Sequence, residues 1–191
     1  MRLIRRSLTH GPSVGRHVPP EAGRGQADEL PVAQAWSPKG AVPQFESLAR
    51  DECEAVLARN HVGRLAYSFH DQIDIQPIHY VFADGWLYGR TSQGWKLATL
   101  RHSRWVAFEV DEIEAVFQWR SVVVRGAFHS LSPDGPMAEA TAWEHGIDLL
   151  RRLVPETWTS TDPVAFRTAV FRIHVDAITG RAATMSSARE R

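Results

Sequence analysis

Hydrophobic positions recur along this chain in two alternating periods, and the switches between them mark out its elements. Cys53, Val56 and Leu57 recur at helical spacing, which predicts a short helix over about residues 50 to 59, with Asn60 placed to end it in the left-handed conformation. From residue 62 to 69 the pattern becomes strictly alternating, with Leu65, Tyr67 and Phe69 on one face and Arg64, Ala66 and Ser68 on the other. That is the period of a half-buried strand. His70-Asp71-Gln72 makes a turn, residues 73–82 form a second extended run, and Ala83-Asp84-Gly85 is a hairpin signal into a third over 86–91. Pro77 lies inside the second run and cannot donate a ladder hydrogen bond, so it predicts a sheet edge or a bulge where backbone is free to meet a ligand.

Beyond Ser92-Gln93-Gly94 the pattern predicts a short helix over 95–102 and strands over 105–110 and 121–131. The run Ser132-Pro133-Asp134-Gly135-Pro136 is a strong break. The longest helix follows over 137–153, with Ala140, Trp143, Ile147 and Leu150 on one stripe, and 170–175 reads as a last strand. Six strands joined by short turns and interrupted by a crossover helix predict a mainly β, α+β fold, a six-stranded antiparallel barrel with flanking helices.

Composition divides the chain. Residues 1–44 hold six of the eleven Pro, five of the thirteen Gly and one aromatic, Trp36, without either period, so they read as a flexible extension. The barrel domain is expected over 45–185 and a short tail over 186–191. Arg5-Arg6 superficially suggests an export signal, but His10, Pro12 and Arg16 interrupt the apolar segment such a signal needs. No apolar run is long enough to span a membrane as a helix, which makes a cytoplasmic protein without membrane partner the expectation. The single cysteine, Cys53, excludes an internal disulfide framework and a cysteine-built zinc site, and fits a reducing compartment. Twenty-two basic residues balance twenty-two acidic ones, so the footprint of a dedicated nucleic-acid binder is missing. Twenty of the cations are Arg and only Lys39 and Lys96 are Lys, which makes each lysine a marked choice.

Lys96 closes the segment Gly89-Arg90-Thr91-Ser92-Gln93-Gly94-Trp95-Lys96, a strand-to-helix turn with two hydroxyls and a Gly. Amides at the helix start could join Thr91, Ser92 and Lys96 in holding a phosphate; a polar turn with an exposed lysine is the plainer alternative. A P-loop is disfavoured, because Trp95 intrudes before Lys96 and Leu97 stands where the magnesium-ligating hydroxyl belongs. No G-x-S-x-G, H-E-x-x-H or G-x-G-x-x-G run occurs. His61, His70, His79, His129 and His174 fall in separate elements without metal-ligand spacing, so no metal is expected. Glu109, Asp111, Glu112 and Glu114 read as a solvated strand end, and Cys53 as an inert core thiol.

One resemblance covers about residues 48 to 131. It is carried by Leu48-Ala49-Arg50-Asp51-Glu52-Cys53, Val62-Gly63-Arg64-Leu65-Ala66, Gln76-Pro77-Ile78-His79-Tyr80-Val81-Phe82 and Asp84-Gly85-Trp86-Leu87-Tyr88. Thr91 to Lys96 with Leu97 and Leu100, Val106 to Glu112, and Trp119-Arg120-Ser121-Val122-Val123-Val124-Arg125-Gly126 continue it, and Ile178-Thr179-Gly180-Arg181 resembles a closing segment. In this order these stretches resemble the flavin-binding split-barrel proteins related to pyridoxamine 5'-phosphate oxidase. The resemblance implies FMN held at the interface of a homodimer. By it Thr91, Ser92 and Lys96 hold the phosphate, Gln76, Pro77, Ile78 and His79 line the isoalloxazine, and Trp119, Arg120 and Ser121 add contacts from the partner subunit. A dianionic phosphate wants cations, hydroxyls and helix-start amides, and a flat ring wants apolar walls with a few backbone hydrogen bonds, so both halves are chemically provided for. Pro77 fits as a bulge beside the ring. Ala49 stands where that family often has a capping Ser, with Ser47 as substitute cap.

The expected function is thus an FMN-dependent oxidoreductase acting on a small organic acceptor, nitroaromatic or quinone-like. His79 is the candidate catalytic residue, as proton donor or clamp; a strand histidine satisfied by its neighbours is the alternative. The family's full pyridoxamine phosphate substrate motifs are not found, so that oxidase activity is not implied. Two other readings are a flavin-storage or sensing module without turnover, and the same barrel around a deazaflavin or heme.

Overall fold

The structure, a computed structural model, describes residues 41–70 and 72–187. The expected extension therefore lies outside the described residues except for 41–44, and the expected tail except for 186 and 187. In chain order the elements are β1 (Ala41–Leu48), α1 (Arg50–Arg59), β2 (Val62–Phe69), β3 (Gln72–Ala83), β4 (Trp86–Thr91), α2 (Trp95–His102), β5 (Trp105–Ala115), β6 (Gln118–Leu131), α3 (Met137–Leu153), β7 (Ala169–His174) and β8 (Ala177–Ser187).

Six of these strands close a ring. The order runs β6, β5, β2, β3, β4, β7 and back to β6, every pair antiparallel. The six predicted strands are these six. Among the described residues the sheet has two more strands, β8 and β1, which extend it from the other edge of β6. β6 changes partner along its length: Trp119 to Arg125 pair with β8, whereas Phe128 to Leu131 pair with β7. This exchange splits the barrel.

Alternation places the core. Leu65, Tyr80, Leu87, Phe108, Val122, Val124, Phe171 and Ile173 point inward and are almost wholly buried, with α1 and α2 closing the space through Val56, Leu57, Leu97 and Leu100. Phe108 packs edge-on to Tyr80 with centroids 4.9 Å apart, and a Cβ on Gly63 would lie 2.3 Å from its ring, so Gly63 makes room for it. Tyr80 satisfies its hydroxyl on the Leu57 carbonyl at 2.9 Å. A second cluster lies outside the ring, where Ile147 and Leu149 of α3 cover Tyr88, Leu131 and Val170. Truncating Leu57 or Phe108 in so closed a core costs about 2–5 kcal/mol.

Local chemistry corrects four expectations. Asn60 is extended rather than left-handed, and it ends α1 by donating its side-chain amide to the Val56 carbonyl (2.8 Å) and to Glu112 (2.7 Å). Ser47 belongs to β1 and is no cap; instead Glu52 reaches back to the Ala49 N–H at 2.7 Å, one half of a capping box. Pro77 makes no bulge, since β2 and β3 stay in unbroken register from Val62↔His79 to Phe69↔Gln72, but it does lie at an edge, because β4 joins β3 only from Tyr80 onward. The acidic strand end is part of a hairpin and is ion-paired: Arg64 bridges Glu109 (2.9 Å) and Asp111 (3.1 Å), and Arg59 holds Glu112 at 2.6 Å. The hairpin at Asp84-Gly85 forms as predicted, with both φ values positive, as the twist-compatible two-residue turn demands. Cys53 is buried in the core, which pushes its thiol pKa up.

Candidate functional site

Two of the segments singled out in the sequence meet at one hydrogen bond. Lys96, the second residue of α2, donates its Nζ to Oε1 of Gln76 on β3 at 2.8 Å. Gln76 in turn donates its Nε2 to Oδ2 of Asp74 (2.8 Å) and to the Tyr67 hydroxyl (3.1 Å), and Tyr67 donates to the same Asp74 oxygen at 2.7 Å. These hydrogen bonds, Tyr67's first, hold the Asp74 carboxyl below the usual range, while burial and Asp74 push the Tyr67 hydroxyl well up. Gln76 is therefore fixed from three sides, and its carbonyl oxygen is aimed at Lys96. The ammonium itself is half-buried; burial pushes its pKa down, Arg167 adds to the push, and Asp74 opposes it.

Arg167 is the residue that sequence reasoning missed. It sits near the end of the segment between α3 and β7, which has no hydrophobic period, and Nη1 lies 3.3 Å from Nδ1 of His79. A guanidinium has only donors, so Nδ1 of His79 must accept and the imidazole proton sits on Nε2. Neither Lys96 nor Arg167 is paired with a carboxylate among the described residues. The site carries an excess of positive charge.

A buried clamp positions the segment that carries Arg167. Arg90 on β4 makes two bonds to Asp162, at 2.6 and 2.9 Å, with side chains 6% and 3% exposed. Asp162 also accepts the N–H groups of Trp158 (2.8 Å) and Val164 (2.9 Å), and the Arg167 N–H bonds back to the Val164 carbonyl at 2.8 Å. The bonds to Arg90 and to these amides hold the Asp162 carboxyl well below the usual range. His79, Arg90, Val164 and Arg167 line one small hollow of about 30 Å³.

The remaining candidates divide. Thr91 is buried at the end of β4 opposite Ala169, and Ser92 is exposed in the turn that leads to Lys96. Gly94, with φ 156° and ψ −173°, takes a backbone conformation essentially restricted to glycine, and among the described residues no side-chain cap bonds the start of α2, so the first amides of the helix are free to donate. Ile78 points into the core, whereas Pro77 and His79 face outward. Trp119, Arg120 and Ser121 are not brought to this place. They begin β6, separated from β3 by β2 and β5, about 14 Å across the sheet at ordinary strand spacing. There Trp119 donates to the Val116 carbonyl (3.2 Å) and Ser121 to Glu109 (3.0 Å). On the outward sheet face between the two groups the middle is charged, with Arg64 paired to Glu109 and Asp111, and exposed apolar side chains lie around it: Val62, Ile73, Ile75, Trp105 and Ile113 are more than half exposed. Among the described residues no group of His, Cys, Asp and Glu is arranged to hold a metal, and no helix is long and apolar enough to cross a membrane.

Known proteins resemble this chain over the same region. The family profile described as pyridoxamine 5'-phosphate oxidase matches residues 49–182. An uncharacterized protein of Rhizobium meliloti is 32% identical over 146 residues, which is 71% of this chain and 93% of that protein. A FAD-binding protein of Mesorhizobium loti has a solved structure that is 28% identical with TM-score 0.60, the match covering 75% of this chain and 99% of that one. The FAD binding protein from Mycobacterium smegmatis is 25% identical with TM-score 0.54, over 72% and 98%.

Proposed function

Because the chain belongs to the pyridoxamine 5'-phosphate oxidase family, and its barrel is of the split type, we propose that it binds a flavin through the isoalloxazine, ribityl and phosphate unit that constitutes FMN. The observation that carries the reading is the Lys96–Gln76 bond with Arg167 beside it, since it joins the turn suited to a phosphate to the strand suited to the ring. The donor set fits the group. Lys96 and Arg167 supply charge, Ser92 a hydroxyl, and the start of α2 its uncapped amides; Pro77 and the outward face of β3 supply an apolar wall. The FAD-binding names of the two structural neighbours support a flavin. Thr91 stands buried at the end of β4, beside the same turn.

Bound flavin supplies hydride and electron transfer; the protein's part is to hold and orient it and to exclude water. His79 presents Nε2–H outward, the form in which it can donate a proton or a hydrogen bond to a small acceptor of nitroaromatic or quinone type. The separation of Trp119, Arg120 and Ser121 from Lys96 within one chain, together with the exposed apolar side chains around the ion-paired middle of the face between them, supports an isologous homodimer in which each site draws on both copies. A cytoplasmic oxidoreductase is the reading as a whole.

The test is direct. The purified protein is expected to be yellow, or to take up added FMN or FAD, and to release flavin on denaturation; a colourless protein that takes up neither overturns the reading. Anaerobic reduction by NADH or NADPH, then reoxidation by quinones or nitroaromatics, is expected of an oxidoreductase, while a storage protein would be reoxidised only by oxygen. His79→Ala is expected to keep flavin and lose turnover. Ile75→Glu, which puts a charge on the open face, is expected to convert a dimer to a monomer in sedimentation.

A further inference from the structure

We propose that the cleft between α2, the end of β6, α3 and the Trp158 segment is a second binding site, built for an adenylate-type group, a flat nitrogen heterocycle carried on a ribose phosphate. One of the two sources of that group considered below rests on the flavin reading. The cleft measures about 560 Å³, within the ordinary range of small-molecule sites.

Its aromatic wall is a corner. Trp143 on α3 and Trp158 meet edge to face, centroids 5.7 Å apart and planes at 89°, so a flat ring lying along one indole turns its edge to the other. Trp158 is held there against its backbone preference. Its φ is +64°, a left-handed value uncommon for so bulky a residue, fixed by its N–H on Asp162 and by the Arg90 guanidinium 5.4 Å from its ring. For all that support the indole remains 38% exposed. Core packing needs neither the strain nor the exposure; a pre-placed recognition surface uses both.

The polar lining matches the rest of the group. Arg101 is an exposed cation without a carboxylate partner among the described residues, suited to one phosphate. Gln93 and Ser130 can meet heterocycle nitrogens, and Glu139 can accept from ribose hydroxyls or an exocyclic amine. That lone carboxylate disfavours a polyanion and favours a base with a single phosphate. The cleft also adjoins the proposed phosphate site, because its Gln93 follows Ser92 and its Thr168 follows Arg167. An adenylate here can come as the second half of FAD, continuing from Lys96 and Arg167 over the turn, or as part of a nicotinamide dinucleotide.

Isothermal titration of the full-length protein with FMN, FAD, AMP and NADH decides it. AMP is expected to bind and to quench tryptophan emission. If FAD is the source it binds about tenfold more tightly than FMN, and Trp158→Ala removes that advantage while leaving FMN unchanged. If NADH is the source, FAD and FMN bind alike and NADH affinity falls in the variant instead. Trp158→Ala disturbs a strained segment, so Arg101→Gln, at an exposed position in the last turn of α2, provides the second variant; it is expected to weaken the same ligands while lowering the melting temperature by no more than a few degrees. The proposal is overturned if AMP, NADH and the FAD advantage are all absent, or are all indifferent to both variants. AMP or NADH binding without either flavin would overturn the flavin reading and leave the cleft standing, whereas FMN binding with every adenylate arm silent would do the reverse.

Discussion

Arg90 and Lys96 stand six residues apart on the same strand-turn-helix, and their surroundings treat their charges in opposite ways. Arg90 is buried and fully neutralised, with two bonds to Asp162. Lys96 is half-buried with a neutral amide for acceptor and a second cation, Arg167, for neighbour. A buried charge that is completely paired fixes structure; a partly desolvated one that is not neutralised is disposed toward an anion from outside. The contrast separates a clamp from a binding site more sharply than burial alone, and it can be broken or sharpened by substitution.

The largest effect is expected at the clamp. Asp162→Ala leaves the Arg90 guanidinium buried without a counter-charge, a loss of about 3–5 kcal/mol, which at about 2–4 °C per kcal/mol for a domain of this size lowers the melting temperature by roughly 6–20 °C. A melt within about 2 °C of the parent would break the comparison. The sign with pH is set by the depressed carboxyl: its stabilisation is complete above the unfolded value, near 3.9, and is lost as pH falls toward the folded value. The melting difference between the parent and Asp162→Asn should thus be constant from neutrality to about pH 4 and shrink in stronger acid.

Lys96→Met should show the opposite signature. Removing a charge-assisted contact of about 1.5–3 kcal/mol weakens flavin binding roughly 10- to 150-fold, yet thermal stability should hold or rise, because a desolvated cation has been replaced by an apolar chain. Titration and melting on the same sample check both halves. Arg167→Gln gives the smallest effect and the finest test. Burial and Arg167 lower the Lys96 pKa, so flavin affinity should fall on the alkaline side at a lower pH than an ordinary lysine near 10.4 would give. Removing Arg167 should move that fall upward while weakening neutral binding by no more than about tenfold.

Much of this was legible in the chain. The six ring strands alternate, and the turn at Asp84-Gly85 and the break at 132–136 have the residues such punctuation needs. β1 and β8 were not legible, since Ala177–Ser187 is mostly small and polar and Ala41–Leu48 carries Pro43; they become strands by pairing with each other and with the outer edge of β6. In the site, Lys96 stood out by its local pattern and Gln76 by the family resemblance, and the structure joins the two by one hydrogen bond. Arg167 did not stand out, because it lies 71 residues beyond Lys96 in a segment without period, and only ring closure by β7 returns it. Trp119 to Ser121 show the same limit in another form: the family resemblance alone pointed to them, and whether they meet Lys96 depends on geometry that one chain does not supply.

β6 engages β5 along nearly its whole length and divides its other side between β8 and β7. Its final hydrogen bonds therefore wait on chain up to about 60 residues further on. Such non-local closure makes folding slow relative to local hairpins, and it makes β6 the strand whose release would break three pairings at once, with β5, β7 and β8. Its central amides, from Val122 to Val124, should be the last in the protein to exchange with deuterated solvent, and their protection should report global unfolding rather than any local opening.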